Sequence, residues 1–231
     1  MLKYVVSKGS DAIVLESDIS FQLPDVSQIE PRPELGFGYA EVFRSIIRQE
    51  PDVILIDSLS DTETSKLALH ASLSGKLILS GVYARSSEAT LNQYVSLCQE
   101  PFLVASAVKL VINQVLVRKI CENCKVEIRV SEETESRVKR ELGTSHDLRF
   151  YKGTGCDKCK NGFKGRIPIF EILKPTSEII DLITKGSSLD QIRSSAINSG
   201  MITMRQDGLL KAVSGLTTID EVIKATRSLE D

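Results

Sequence analysis

The 231-residue chain contains no tryptophan, few aromatic residues and almost no net charge. Lysine and arginine number 29 against 31 aspartate and glutamate residues, a balance that argues against a dedicated nucleic-acid binder, although a local basic patch is compatible with it. No apolar run is long enough to span a bilayer. The first ten residues are too few and too polar for a signal peptide, so we expect a cytoplasmic location.

Cysteine is also scarce, but four of the five cysteines occur in one repeated pattern. Cys121-x-x-Cys124 and Cys156-x-x-Cys159 flank an insert of residues 125–155. A tight turn directs both thiolates of such a pair at one point, and two pairs complete the tetrahedron of a closed zinc site. We therefore predict structural zinc. The alternatives are unrelated thiols or two disulfides, and disulfides would need an oxidising compartment.

Four thiolates would leave no open coordination position, so the predicted zinc would fix a loop too small to bury its own core. His146 lies inside the insert and could in principle replace a thiolate, but we expect it to be exposed to solvent. Cys98, the remaining cysteine, is expected to be a small buried apolar residue.

Short apolar runs alternate with helical patterns over the first hundred residues, and this rhythm indicates an α/β sheet. The run at 53–56 is apolar throughout, as in a strand buried on both faces. Strands are predicted at 11–16, 53–56 and 76–80, with a loop at 17–37, and helices at 1–8, 38–49, 62–73 and 87–98 and after Pro101.

From residue 111 the pattern changes. The segment 111–120 leads into the insert, which contains a charged helix at 132–142, and a strand follows at 167–173. Beyond that the chain is predicted to be all-helical, with Ser188, Thr203 and Thr217 as N-caps. The predicted helices are 177–184, 188–199, 203–213 and 217–227.

Five stretches together resemble the C-terminal part of the type II secretion and type IV pilus assembly ATPases, in family order and over almost the whole chain. They are RSIIRQEPDVILI at 44–56, LALHASLSGKLILS at 67–80, EPFLVASAVKLVINQVLVRKICENCK at 100–125, GCDKCKNGFKGR at 155–166 and GMITMRQDGLLKAVSGLTTIDEV at 200–222. The resemblance implies an α/β fold with part of a RecA-like P-loop ATPase core at 1–118. It also implies a tetracysteine zinc subdomain at 119–170 and a helical C-terminal region at 171–231.

The resemblance also implies partners and a place in the cell. Members of this family form hexameric rings on the cytoplasmic side of the inner membrane, where they drive pilin or pseudopilin assembly through an inner-membrane platform protein. We accordingly expect ring subunits and the platform protein as partners, a location peripheral to the inner membrane, and no nucleic acid. ATP and Mg²⁺ would bind only in a full-length parent.

The chain departs from the family pattern at the nucleotide site. A P-loop, G-x-x-x-x-G-K-[ST], is missing from the sequence. In the family it precedes the helix that residues 1–8 complete, so we expect either a chain that starts after the P-loop or a protein that has lost it. The family's histidine is replaced by Tyr83 in the segment 81–85.

Candidate remnants of the catalytic site are Glu16, Asp57 and Asp61. Glu16 matches the first glutamate of the acidic box that the family has after this strand. Asp57 and Asp61 lie in the segment that corresponds to the Walker B motif, where Asp57 could contact Mg²⁺ through water. Ser58 stands where the family has its catalytic glutamate, and a hydroxyl is too weakly basic to orient and activate water.

Two arginines, Arg44 and Arg48, match family arginines near the nucleotide or the subunit interface. They could equally be solvated charges on the helix at 38–49.

The resulting prediction is a structural or regulatory ring subunit with lost or weak ATP hydrolysis. The first alternative is a fragment of an active motor with unusual catalytic residues. The second is a zinc module that binds nucleic acid, which fits poorly because Glu122, Glu127, Glu132 and Glu133 offset the nearby cations and aromatic residues are not interleaved with them.

Overall fold

The computed structural model describes residues 1–227, which divide into two compact units. The strands are β1 Ala12–Leu15, β2 Ser27–Ile29, β3 Val53–Ile56, β4 Leu77–Ser80, β5 Val111–Ile120, β6 Lys125–Ile128, β7 Phe150–Gly153 and β8 Phe163–Leu173. The helices are α1 Leu2–Val6, α2 Tyr39–Ile47, α3 Thr62–Leu73, α4 Ser87–Cys98, α5 Pro101–Ala107, α6 Glu132–Leu142, α7 Ser177–Thr184, α8 Leu189–Asn198, α9 Met204–Val213 and α10 Ile219–Thr226.

The first unit comprises Met1–Ala84, Glu88–Lys109 and Pro175–Ile192. It is built on a four-stranded parallel sheet with strand order β2-β1-β3-β4, which confirms the predicted α/β class. All four residues of β1 are buried, because helices cover both faces of a parallel sheet and the strand needs no polar alternation.

Each face of the sheet has its own apolar cluster. On one face Ile13 and Ile54 pack with Phe43 and Ile46 of α2. On the other face Ala12, Val14 and Val53 pack with Leu2 of α1. The edge strand β2 lies inside the predicted loop 17–37, because a three-residue strand of mostly polar, partly exposed residues carries no strand pattern in the sequence.

The second unit comprises Arg85–Ser87, Leu110–Lys174 and the residues from Arg193 onward. Its sheets are two antiparallel pairs, β5-β8 and β6-β7. Strand β8 begins earlier than the predicted residue 167, because its polar residues also pair with β5 on the far side of a register shift between Arg118 and Ile120.

One core joins the cysteine-flanked insert to the C-terminal helices. Val138 of α6 and Phe150 of β7 pack with Leu209 of α9 and Val222 of α10. The observed units therefore differ from the predicted segments 1–118, 119–170 and 171–231, since neither side of this shared core buries its apolar residues alone. The last predicted segment includes residues 228–231, which lie outside the described residues.

Helix starts follow local side-chain chemistry, with one correction. Thr203 forms a capping box with Gln206, and Ser188 accepts a hydrogen bond from the backbone N–H of Gln191, as predicted. For α10 the prediction of Thr217 as the cap was wrong. Thr218 caps this helix, whereas the Thr217 hydroxyl donates to the carbonyl oxygen of Arg118 at 2.8 Å.

Within residues 1–227, none of the helices combines the length and the apolar character needed to cross a membrane.

Candidate metal centre and nucleotide-site remnants

Four sulfur atoms from the two Cys-x-x-Cys pairs lie within 4.8 Å of one another. The Sγ–Sγ distances are 3.9 Å between Cys121 and Cys156, 3.7 Å between Cys124 and Cys159, and 3.6 Å between Cys156 and Cys159. Sulfurs bound tetrahedrally to one zinc ion at about 2.3 Å stand about 3.8 Å apart, whereas a disulfide joins sulfurs at about 2.05 Å. The cluster therefore fits one metal ion held by four thiolates.

The backbone fixes both cysteine pairs in the same way. Cys124 N–H donates to the carbonyl oxygen of Cys121, and Cys159 N–H donates to that of Cys156, each at 3.3 Å. The first pair follows β5 and the second lies between β7 and β8, so the strands bring together cysteines 35 residues apart. Strand pairing thus brings the two cysteine pairs together, which their spacing in the sequence could not establish.

Two glycines allow the loops that carry the sulfurs to touch. A Cβ atom on Gly153 would lie 2.1 Å from the carbonyl oxygen of Gly162, and one on Gly162 would lie 2.4 Å from that of Gly153. Gly162 also has a φ of 82°, in the left-handed region that favours glycine. Only glycine therefore fits at both positions of this backbone contact next to the cluster.

The pKa values of two of these thiols, Cys156 and Cys159, are shifted in opposite directions. Desolvation opposes ionisation of Cys159, but hydrogen bonds from Cys156 and from the backbone of Gly162 lower its pKa to about 7. The backbone N–H of Lys158 favours the thiolate of Cys156, yet desolvation and the neighbouring sulfurs raise its pKa to about 12. A bound divalent cation would favour the thiolate form of both, because metal ligation deprotonates thiols outright.

The other two candidates stay outside this cluster, as expected. His146 is exposed in the loop after α6. Cys98 is buried at the end of α4 against Leu69 and Val104, and burial raises the pKa of its thiol to about 11. A neutral buried thiol of this kind packs as an apolar residue.

A second candidate site lies where β1 and β3 end at the same edge of the parallel sheet. Here the carboxylate of Asp57 accepts hydrogen bonds from Ser17 N–H and Ser17 Oγ, both at 2.8 Å, and from Ser58 N–H at 2.7 Å. The hydroxyl of Tyr39, at the start of α2, lies 2.9 and 3.0 Å from the two carboxylate oxygens. Four donors fill the roughly four lone-pair positions of a carboxylate.

These bonds favour the charged form of Asp57. Burial opposes its ionisation, but the hydrogen bonds from Ser17, Tyr39 and Ser58 outweigh that effect and hold its pKa below the usual value. Burial and the bond to Asp57 raise the pKa of Tyr39 to about 12. At neutral pH Asp57 is therefore an ionised carboxylate that joins β1, α2 and β3.

The other acidic remnants have structural partners as well. Asp61 is the N-cap of α3 and accepts the backbone N–H of Thr64 at 2.8 Å. Glu16 follows β1 and accepts a hydrogen bond from the side-chain amide of Gln28 at 3.3 Å.

Arg44 of α2 and Arg48, which directly follows that helix, are exposed and have partners within the first unit. Arg44 forms ion pairs with Glu63 and Glu41, and Arg48 donates to the hydroxyl of Ser45 at 2.9 Å. Their predicted role at a nucleotide or a subunit interface stays a prediction. Tyr83, which replaces the family's histidine, is almost fully exposed beyond β4.

A family model described as "Type II/IV secretion system protein" matches residues 1–224. The chain belongs to this family. The type IV pilus assembly ATPase PilB of Thermus thermophilus is 34% identical over 227 residues, which are 98% of this chain and 26% of that protein. Type II secretion system protein E of Dickeya dadantii is 32% identical over 96% of this chain and 44% of that protein. The chain therefore spans less than half the length of these relatives.

Solved structures of a pilus retraction motor and of an ATPase share the fold. The pilus retraction motor PilT with bound ADP superposes with a TM-score of 0.67 at 20% identity, covering 97% of this chain and 55% of that one. The ATPase DotB of Legionella pneumophila gives a TM-score of 0.63 at 15% identity, over 96% and 54% of the two chains. The family model and the relatives confirm the resemblance noted in the sequence, and the solved structures show the same fold.

In this member of the secretion family, two polar groups of the sheet edge escaped sequence analysis. Ser17 and Tyr39 both bind Asp57, yet they lie 22 residues apart and their spacing forms no motif. The sequence offered a signal for Ser17 alone: it follows β1 as Asp57 follows β3, and the carboxyl ends of parallel strands meet at one edge of the sheet.

We predict that the purified chain carries about one zinc ion. Cys156→Ser should lose that metal and loosen the second unit, because the loops around the cluster are continuous with β5 to β8, while the sheet of the first unit persists. Metal content by mass spectrometry and far-UV circular dichroism would measure both effects. Cys98→Ser is the matched control and should retain the metal. A metal-free wild-type protein, purified under reducing conditions without chelator, would contradict this prediction.

We also predict a pH-dependent contribution from the Tyr39–Asp57 hydrogen bond. Because the pKa of Asp57 is lowered by folding, its stabilisation is complete above the unfolded value and is lost as the pH falls through the folded value. Tyr39→Phe should reduce the free energy of unfolding by about 0.5–1.5 kcal/mol at neutral pH. The difference from wild type should shrink below the ordinary aspartate pKa of 3.8. Urea titrations at several pH values would measure it, and a difference independent of pH would contradict the assignment.

Proposed function

We propose that this chain is the C-terminal region of a secretion or pilus-assembly ATPase-like protein and acts as a structural or regulatory ring subunit with lost or weak ATP hydrolysis. The proposal rests on the side-chain chemistry of Asp57 and Ser58 at the end of β3. The carboxylate is filled by four donors from the chain itself, and the next residue offers a hydroxyl in place of a carboxylate.

Hydrolysis of a nucleoside triphosphate requires a cradle for the phosphates, a metal ion and a group that orients water. The sequence contains no P-loop, so the cradle would have to come from outside these residues. Ser58 Oγ is buried and meets no hydrogen-bond partner within the described residues, so it is not aligned as a base. Asp57 would have to give up an internal donor before it could contact metal-bound water. These features together favour a subunit that does not turn over ATP.

The competing proposal is a fragment of an active motor. It is favoured by the level of similarity to the Thermus pilus assembly ATPase over 98% of this chain. Under this proposal Glu16, Asp57 and Asp61 would act in an unusual catalytic arrangement, with Arg44 and Arg48 near the nucleotide. Because these residues already bind partners within the chain, this proposal is the weaker of the two.

A nucleic-acid-binding zinc module is disfavoured by local charge. Glu122, inside the first cysteine pair, lies 3.4 Å from the ammonium of Lys119 and 3.9 Å from that of Lys125. Two of the cations closest to the cluster thus already face an acid, whereas binding to phosphates needs a basic surface.

The cofactor we propose for this chain is one structural zinc ion held by Cys121, Cys124, Cys156 and Cys159. When bound, the ion would supply a fixed crosslink between the two loops and no reaction chemistry, because four thiolates leave no open position. The sheet of the first unit is proposed to be the C-terminal portion of a RecA-like core. ATP and Mg²⁺ would enter only in the full-length parent.

The proposed partners are the other subunits of a hexameric ring and an inner-membrane platform protein. The proposed location is the cytoplasmic face of the inner membrane. The family membership supports both, since relatives of the chain are named as a type IV pilus assembly ATPase and as a type II secretion system protein.

We predict no ATPase activity above background for this chain, and weak activity or none for the whole protein that contains it. Phosphate release by the purified protein, alone and with an active relative, is the measurement. Ser58→Glu in the whole protein tests whether the missing acid is the limiting group. Robust turnover by the wild type, abolished by Ser58→Ala, would overturn the proposal in favour of the motor.

We predict that the whole protein sediments as a hexameric ring, alone or mixed with an active paralogue, whereas the 231-residue chain is monomeric or associates weakly. Analytical ultracentrifugation with and without nucleotide would distinguish these states. A whole protein that stays monomeric in both conditions and binds no secretion ATPase would remove support for the ring.

A further inference from the structure

The pair β5-β8 has an outer face that the other described residues leave largely exposed, although the ammonium of Lys211 lies 5.1 Å from the ring of Phe170 on that face. Cross-strand pairing places Ile112 opposite Ile172, Gln114 opposite Phe170 and Leu116 opposite Pro168. We call these six residues the ribbon face. Ile112, Leu116 and Ile172 are 40 to 47% exposed, whereas Val117, Ile169 and Leu173 on the opposite face are buried.

Cations surround the ribbon face. The two strands contain four basic residues, of which Arg118 is paired with Glu221 and Lys119 with Glu122, and one acid, Glu171. Glu171 points inward, where it is 3% exposed and accepts the backbone N–H groups of Ser87 and Met204 at 3.2 and 3.4 Å. Arg166 lies exposed at one end of the apolar strip, and Lys174 lies exposed just beyond the other end. Within these strands, therefore, no carboxylate faces outward.

A surface of opposite charge lies in the first unit. Residues 16–37, which we call the acidic segment, contain five acidic residues and one arginine. Phe21, Leu35 and Phe37 in this segment are 59 to 67% exposed. Large apolar side chains displayed beside carboxylates are the features that an apolar strip rimmed by cations would bind.

The acidic segment is held in place by its own hydrogen bonds. Arg32 and Phe37 exchange two backbone bonds, of 2.7 and 3.0 Å. The side chain of Gln28 accepts from Leu23 N–H at 2.7 Å and donates to the carbonyl oxygen of Phe21 at 3.2 Å. The exposed side chains are therefore presented by an ordered backbone, which lowers the entropy cost of docking.

We propose that the ribbon face of one copy of this chain docks the acidic segment of a second copy. The two surfaces differ in the same molecule, so the contact is heterologous: each copy offers a ribbon face to one neighbour and an acidic segment to the other. Such a head-to-tail contact closes into a ring when its rotation permits. The proposal rests on the ring proposed above and assigns that ring a specific pair of surfaces.

The test uses two variants of the 231-residue chain, each lacking one surface. Leu116→Asp places an uncompensated charge in the ribbon face, and Phe21→Asp removes the most exposed ring of the acidic segment. Sedimentation velocity at rising concentration should show weak self-association of the wild type, weakened further at high salt. Each variant alone should associate about tenfold or more weakly than the wild type.

Mixing the variants gives the decisive result. In an equimolar mixture the intact ribbon face of Phe21→Asp can meet the intact acidic segment of Leu116→Asp, so a one-to-one heterodimer should form with near wild-type affinity and grow no further. Val126→Asp and Phe102→Asp, at similarly exposed apolar positions elsewhere, are the matched controls and should associate like the wild type.

Three outcomes would overturn the proposal: a wild-type chain that stays monomeric throughout, controls that lose association equally, or variants that fail to associate when mixed. Circular dichroism of each variant establishes that it is folded. The same variants in the whole protein separate this inference from the proposed function. A ring unchanged by Leu116→Asp and Phe21→Asp would refute these surfaces while the ring stands, and ATP turnover is measured independently.

Discussion

The second unit depends on the convergence of four sulfur atoms contributed by two loops far apart in the chain. Strands β5 and β8 form one antiparallel pair and β6 and β7 another, and the cysteine pairs lie where these pairs meet. Because Gly153 and Gly162 bring the two loops into backbone contact beside the sulfurs, the loops are fixed even where few apolar side chains are available. A metal ion at this point would add a crosslink to a framework that hydrogen bonds have already shaped.

At the end of β3 a carboxylate holds neighbouring elements of the fold together. An aspartate at the carboxyl edge of a parallel sheet is well placed to serve a bound ligand. In this protein Ser17 and Tyr39 occupy the oxygens of Asp57 and use it to hold β1, α2 and β3 together. Gly81 completes the edge, since a Cβ there would lie 2.4 Å from the carbonyl oxygen of Asp57. Close packing and internal hydrogen bonding therefore engage the oxygens of Asp57 within the chain itself.

Charge and apolar surface are distributed unevenly between the units, although the whole chain is nearly neutral. The acidic segment combines exposed apolar side chains with mostly negative charges, and the ribbon face combines them with positive charges at its ends. In a protein that acted alone, such surfaces would favour nonspecific association. In a head-to-tail assembly the two surfaces would be buried against each other and would no longer be exposed to solvent.

The sequence by itself determined the local elements and the membership of the cysteine cluster. Apolar runs and caps located β3, α3, α4 and α6, because periodicity and capping act over a few residues, and the Cys-x-x-Cys spacing identified all four sulfurs. Only the tertiary structure decided that Ser17 and Tyr39 bind Asp57, that the insert shares a core with α9 and α10, and that Ile112, Leu116 and Ile172 lie on one exposed face. These relations depend on which distant segments pack together, and no pattern within a single segment encodes that choice.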